Sequence, residues 1–217
     1  MHSTTKHRST VRLGVEQLES RLTPAAPYPN LSAFVTDGIL HIQGDRFNHA
    51  FQVDVYDDYI QVWVVGPGSI NGVQPPSGWA SANFSGAISA VEIDGNVSTD
   101  YISVSDRLTS ARALDITVRS GAYGDRVALS GQGHITGDIN VLTDSGNDQV
   151  NISGDWSGAS LSVSLGGGSD TLSITGSVGS ITALDAGSGN RDKLTIPDAL
   201  YLAFKPRIVN FENITRT

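Results

Sequence analysis

Five aspartates recur along the chain at Asp100, Asp125, Asp148, Asp170 and Asp192, separated by 25, 23, 22 and 22 residues. An aspartate set at a nearly constant interval can do one of two things. Its carboxylate can share a hard cation such as calcium with neighbouring oxygens, or it can accept hydrogen bonds from the amides of the turn that carries it. Either role needs the same side chain in the same place in each copy of one structural unit.

The residues around each Asp describe that unit. Two and four positions later stand the apolar pairs Ile102/Val104, Val127/Leu129, Val150/Ile152, Leu172/Ile174 and Leu194/Ile196. A second set precedes the Asp: Val91/Ile93, Ile116/Val118, Ile139/Val141, Leu161/Val163 and Ile181/Ala183. Alternation with a period of two puts both members of a pair on one face of a strand, so each unit reads as strand, turn, strand and return. A unit of about 22 residues cannot bury its apolar face alone, whereas stacked units merge their faces into one core. The expected fold is all-β: a right-handed parallel β-helix or solenoid with coils of about 22 residues and non-repeating caps. An antiparallel β-sandwich is the alternative, because regularly spaced turn signals also suit that fold. With 24 glycines and only 17% charged residues, the composition favours short strands and tight turns over helices.

Upstream, "GILHIQG", "FQVDVY" and "IQVWVV" alternate in the same way, and Asp57-Asp58 marks a turn that folds the last two into an antiparallel hairpin. The chain divides into a leader at 1–27, an N-terminal β cap with the first coil at 28–86, and solenoid repeats with a C-terminal cap at 87–217. Tyr201, Phe204, Val209, Phe211 and Ile214 are expected to close the C-terminal end, which would otherwise expose apolar side chains and unpaired backbone. Trp79 and Trp156 read as core or cap filling in preference to sugar-stacking platforms.

Charge narrows the partners. Lys6, Arg8, Arg12 and Arg21 against Glu16 and Glu19 give residues 1–22 a net +2, so a total of −8 leaves −10 on the remainder. Such a body repels nucleic acid and other polyanions and attracts cations. There is no Cys, hence no disulfide framework and no thiolate metal site. No run approaches the ~18 apolar residues of a membrane span, so no transmembrane segment is expected.

Near the N-terminus, Val11, Val15, Leu18 and Leu22 fall at helical intervals that end at Pro24. "VEQLESRLTPA" resembles the Leu-Glu-x-Arg-x-x-Pro-Ala leader of large planctomycete exported and cell-surface proteins, with Arg12, Glu16, Leu18, Glu19, Arg21 and Pro24-Ala25 in the matching order. The resemblance covers residues 11–25 and implies export to the cell surface or the extracellular space.

The repeated turn carries a second resemblance. "GGGSDTL", Gly166 to Leu172, is similar to the Gly-Gly-x-Gly-x-Asp-x-apolar nonapeptide of RTX calcium-binding β-rolls. "DSGND" and "GAYGD" keep part of that pattern, and the turn before Asp192 has one extra residue. The period differs, since this chain has one such turn per coil of about 22 residues where the RTX family has two in each shorter coil. The resemblance implies calcium at Asp148 and Asp170, with Asp125 and Asp192 as further ligands. Hydrogen bonding to turn amides stays the competing role for all four.

No nucleophile elbow, zinc-protease helix, Walker loop, EF-hand or dinucleotide fingerprint is present, and His2, His7, His41, His49 and His134 are too scattered to form a triad by sequence. Five Asn-x-Ser/Thr triplets, at Asn30, Asn83, Asn96, Asn151 and Asn213, are the chance yield of a Ser-, Thr- and Asn-rich chain. The expected function is a secreted or cell-surface structural or adhesive module, calcium-stabilised, with a cell-surface polysaccharide or protein as partner. A polysaccharide-active β-helix enzyme is the alternative, on fold analogy alone.

Overall fold

The computed structural model describes residues 29–74 and 79–217; the leader expected over 1–27 lies outside the described residues. β1 (Asn30–Thr36) and β2 (Ile39–Gln43) form an antiparallel hairpin around Asp37-Gly38, both at positive φ. β3 (Ala50–Val55) and β4 (Tyr59–Val64) form a second hairpin, joined through the Asp57-Asp58 turn as the sequence predicts. The short β5 (Ser69–Ile70) lies parallel to the start of β1, and β6 (Ser81–Ser85) flanks β4.

From β2 and β3 onward the chain winds in parallel coils. The strands β7 (Ala90–Asp94), β8 (Tyr101–Asp106), β9 (Asp115–Arg119), β10 (Arg126–Gln132) and β11 (Asp138–Leu142) alternate between two faces. The long β12 (Gln149–Ser164) serves both. Next come β13 (Gly167–Gly168), β14 (Thr171–Ile174), β15 (Ser177–Asp185), β16 (Ser188–Gly189) and β17 (Lys193–Ile196). Helix α1 (Asp198–Phe204), β18 (Ile208–Val209) and β19 (Asn213–Arg216) complete the last described coil. Face one stacks β2, β7, β9, β11, the end of β12, β15 and β18. Face two stacks β3, β8, β10, the start of β12, β14, β17 and β19. This is a β-solenoid; among the strand pairs described, antiparallel pairing is confined to β1–β2, β3–β4 and β4–β6 at its N-terminal end.

The register is the one that the repeated apolar pairs demand. Ile102, Val127, Val150, Leu172 and Leu194 align in one row, each at most 1% exposed. Each such buried side chain contributes about 1.5–3 kcal/mol, and a rung of one coil is useful only against the rungs beside it. One position departs from the pattern. Ala183 does not point inward, because a bulge in β15 pairs Ser162 with Ala183 and Val163 with Leu184. Leu184 takes the inner place at 0% exposure, while Thr182 is diverted to bond the Leu161 carbonyl.

The end closures also differ in part. Pro197 leads into α1, where its fixed φ suits a helix start, and Leu200, Tyr201, Phe204, Ile208 and Phe211 pack on the core from the open end. Val209 and Ile214, expected to close that end, are 43% and 39% exposed, because β18 and β19 are themselves the outermost rungs described. Trp156 fills the corner of its coil, with its indole N–H donating to the Ser153 carbonyl, but Trp79 is 59% exposed and fills neither core nor cap.

Each coil passes through a left-handed residue at the same corner, Asn96, Gly121, Asp144, Gly166, Gly187 and Asn210, and Tyr123 and Arg191 add a second in two of these turns. Glycine, asparagine and aspartate at the shared corner are the residue types that tolerate positive φ. At Gly121 and Gly166 space adds a second demand, since a Cβ there would overlap the carbonyl oxygen of Asn96 or Asp144 in the coil before.

Candidate functional site

The five aspartates stand directly after these turns, at the entry to face two, and their side chains point into the wall. Each is 0–3% exposed. The backbone N–H of Asp100 donates to Asp125 Oδ1 at 2.8 Å, that of Asp125 to Asp148 at 2.7 Å, that of Asp148 to Asp170 at 2.8 Å and that of Asp170 to Asp192 at 2.7 Å. The row extends past the repeat at both ends. His49 N–H donates to Asp100 Oδ1 at 2.7 Å, and Asp192 N–H donates to Glu212 Oε2 at 2.6 Å. Main-chain bonds run the opposite way beside them, Arg126 N–H to Asp100 O and Gln149 N–H to Asp125 O, both 2.8 Å. Every coil is thus clipped to the next by a side-chain bond and a backbone bond at the point where the chain enters the strand.

The second carboxylate oxygen is left alone. Oδ2 of Asp100, Asp125, Asp148, Asp170 and Asp192 is buried without a hydrogen-bond partner. The preceding corner offers little help: Ser120 and Thr143 face the ladder in two coils, but Leu165 and Ala186 take that place in the next two. Ser120 Oγ, beside Asp125, is itself outside hydrogen-bonding geometry, and Thr143 Oγ1 donates to the Leu165 carbonyl. Withdrawing a carboxylate from water penalises its charged form. Burial pushes Asp125 up to about 7, with the charges of Asp148 and Asp100 adding to the rise against the opposing Asp100 amide. Burial likewise pushes Asp170 up to about 6, and raises Asp100 and Asp148.

The structure therefore brings Asp125, Asp148, Asp170 and Asp192 into one row, as the spacing predicts, and commits one oxygen of each to an amide. Calcium takes six to eight oxygens. In this geometry each rung offers a single inward-facing oxygen, and among the described residues no group of three or more His, Cys, Asp or Glu converges. His49 and Glu212 belong to the ladder but were invisible to the spacing argument, because they lie outside the repeat and one of them is not an acid.

Among the described residues the other histidines stay apart: His41 lies 3.3 Å from Glu92 on face one, and His134 lies 4.0 Å from Asp106. A cleft of about 750 Å³ opens where the loop after β4 overhangs face two. Pro29, Val65 and Pro67 form one wall, with Tyr101, Arg126 and Gln149 along the other side. Asp100 and Asp125 also line it, each 3% exposed. Among the described residues no helix is long and apolar enough to cross a membrane. No family model, curated protein or solved structure matches the chain.

Proposed function

We propose that this chain is a structural or adhesive β-solenoid module working outside the cell or at its surface. The observation that carries the reading is the ladder. The repeated acid, the residue most suited to catalysis or metal binding, is shut inside the wall and bonded to the backbone of the adjacent coil. A repeat whose polar invariant serves stacking is a scaffold, and its outer surface is what remains for recognition. The leader-like residues 11–25 support export. Calcium belongs to the proposal as a stabilising ion of the ladder, and its uptake would require the Oδ2 row to open towards solvent.

The polysaccharide-cleaving alternative draws on the cleft, but needs an accessible acid and base there. The two acids lining it are 3% exposed, which favours binding over cleavage. Fractionation of the native cells, with an antibody against residues 79–217 and N-terminal sequencing of the recovered protein, tests the placement. Recovery in the envelope or medium with the leader removed supports the reading; full-length protein held in the cytoplasm overturns it.

A further inference from the structure

The outer surface of the solenoid is electrically divided although the chain as a whole carries −8. Acids collect on face one, at Glu92, Asp94, Asp115, Asp138 and Asp185, against the single strand cation Arg119. Face two is different. Two of its outward rows run Tyr101, Arg126, Gln149, Thr171, Lys193 and then Ser103, Ala128, Asn151, Ser173, Thr195, with two cations and no acid; the next row holds one acid, the buried Asp54. The turn leading into it is of the same kind: Asn48, Thr99, Gly124 and Asn147 line the cleft beside those rows.

Within the cleft, Arg126 is the one exposed charge, and among the described residues no carboxylate pairs with it. Its Nε donates to Gln149 Oε1 at 2.8 Å, which fixes the guanidinium plane and leaves both terminal nitrogens for a ligand. One coil away in the same row stands Tyr101, 40% exposed and the one aromatic ring of the two rows. An exposed ring, a held guanidinium and amide side chains on neighbouring rungs make a surface for a ligand that has apolar C–H faces, hydroxyls and carboxylates.

We propose that this cleft and the row beyond it bind a linear acidic oligosaccharide, laid along the solenoid axis. Coils advance by ~4.8 Å, close to the length of one sugar unit in an extended 1,4-linked chain, so successive units meet successive rungs. Tyr101 packs against a sugar face, Arg126 forks a carboxylate, Gln149 meets hydroxyls, and Lys193 supplies a second cation three coils further on. An acidic peptide fits less well: β8, β10 and β12 have both edges paired, so the face offers no free backbone for a strand to join. The proposal names the ligand class of the adhesive reading and rests on it.

The test is calorimetric titration of the full chain with a β-1,4-linked mannuronate hexamer, the neutral β-1,4-mannohexaose of the same linkage, and hexaglutamate. The mannuronate should bind saturably and more weakly at high salt. Arg126→Gln and Tyr101→Ala should each lower affinity about tenfold or more, while Thr195→Ala on the next row stays within about twofold. Unchanged circular dichroism and melting of each variant exclude misfolding as the cause. Equal binding of the neutral hexamer, preference for hexaglutamate, or no saturable binding overturns the proposal. Envelope recovery of the protein in the fractionation experiment would leave the adhesive module standing after such a failure.

Discussion

Replacing Asp125 by Asn keeps an oxygen at the position that accepts the Asp100 amide, and removes the buried charge. The side chain has an ordinary value of 3.8 and is pushed up to about 7 in the folded chain, chiefly by burial. At 1.36 kcal/mol for each tenfold step, that gap is worth about 4 kcal/mol. The folded state holds the proton more tightly than the unfolded state, so this contribution is fully present below about 4 and is lost as pH rises through about 7. Wild type should therefore lose more stability across that window than Asp125→Asn, which keeps only the losses from Asp100, Asp148 and Asp170. Urea denaturation followed by circular dichroism from pH 4.5 to 8.5 measures the difference. At pH 8.5 the Asn form should be the more stable, by up to about 4 kcal/mol less the about 1–3 kcal/mol cost of an unpartnered amide N–H. At pH 4.5 the order should reverse. Asp57 and Asp155, held low by hydrogen bonds from Thr109 and Ser177, weaken both proteins equally in acid and cancel in the comparison. A stability difference that stays constant with pH would refute the buried, charge-penalised ladder.

Ile152→Ala, at a rung 1% exposed, should cost about 2–5 kcal/mol in the same assay, while its outward neighbour Asn151→Ala should stay within about 0.5 kcal/mol; equal losses would contradict the register. Gly166→Ala should destabilise far more than Gly66→Ala: both glycines have positive φ, but only at Gly166 does a Cβ meet a carbonyl of the adjacent coil, so similar melting shifts would count against the close approach. Melting with millimolar calcium and with chelator tests the ion: a chelator-induced drop of several degrees that Asp170→Asn abolishes supports calcium at the ladder, and superimposable curves remove it.

Much of this architecture is legible because a solenoid repeats its physics. The Asp spacing and the apolar pairs behind it fix which side chains stack, and Val150, Ile152, Leu172 and Ile174 lie where alternation places them. The misplaced residue, Ala183, fails for a local reason, since a bulge shifts a strand without disturbing its composition. The left-handed turn is only half legible: glycine marks it at Gly121, Gly166 and Gly187, but Asn96, Asp144 and Asn210 fill the same role with different side chains. At the site, position could be read and direction could not. Spacing puts the carboxylates in a row whether they face solvent and metal or the wall and its amides, and only the fold decides. The cleft was hidden altogether, because Pro29, Val65 and Pro67 meet Tyr101 and Arg126 through winding, with no shared motif.

The central claim is that each aspartate holds the amide of the coil before it while shut away from water. Side-chain carboxyl ¹³C titration of Asp125, recorded together with the backbone amide of Asp100, tests it directly, because those residues are 25 apart in sequence and joined by one hydrogen bond. The account predicts that the Asp125 carboxyl titrates near 7 and that the Asp100 amide shifts with the same midpoint while remaining protected from exchange. An Asp125 carboxyl titrating near 4, or an Asp100 amide that ignores it and exchanges freely, would contradict the ladder.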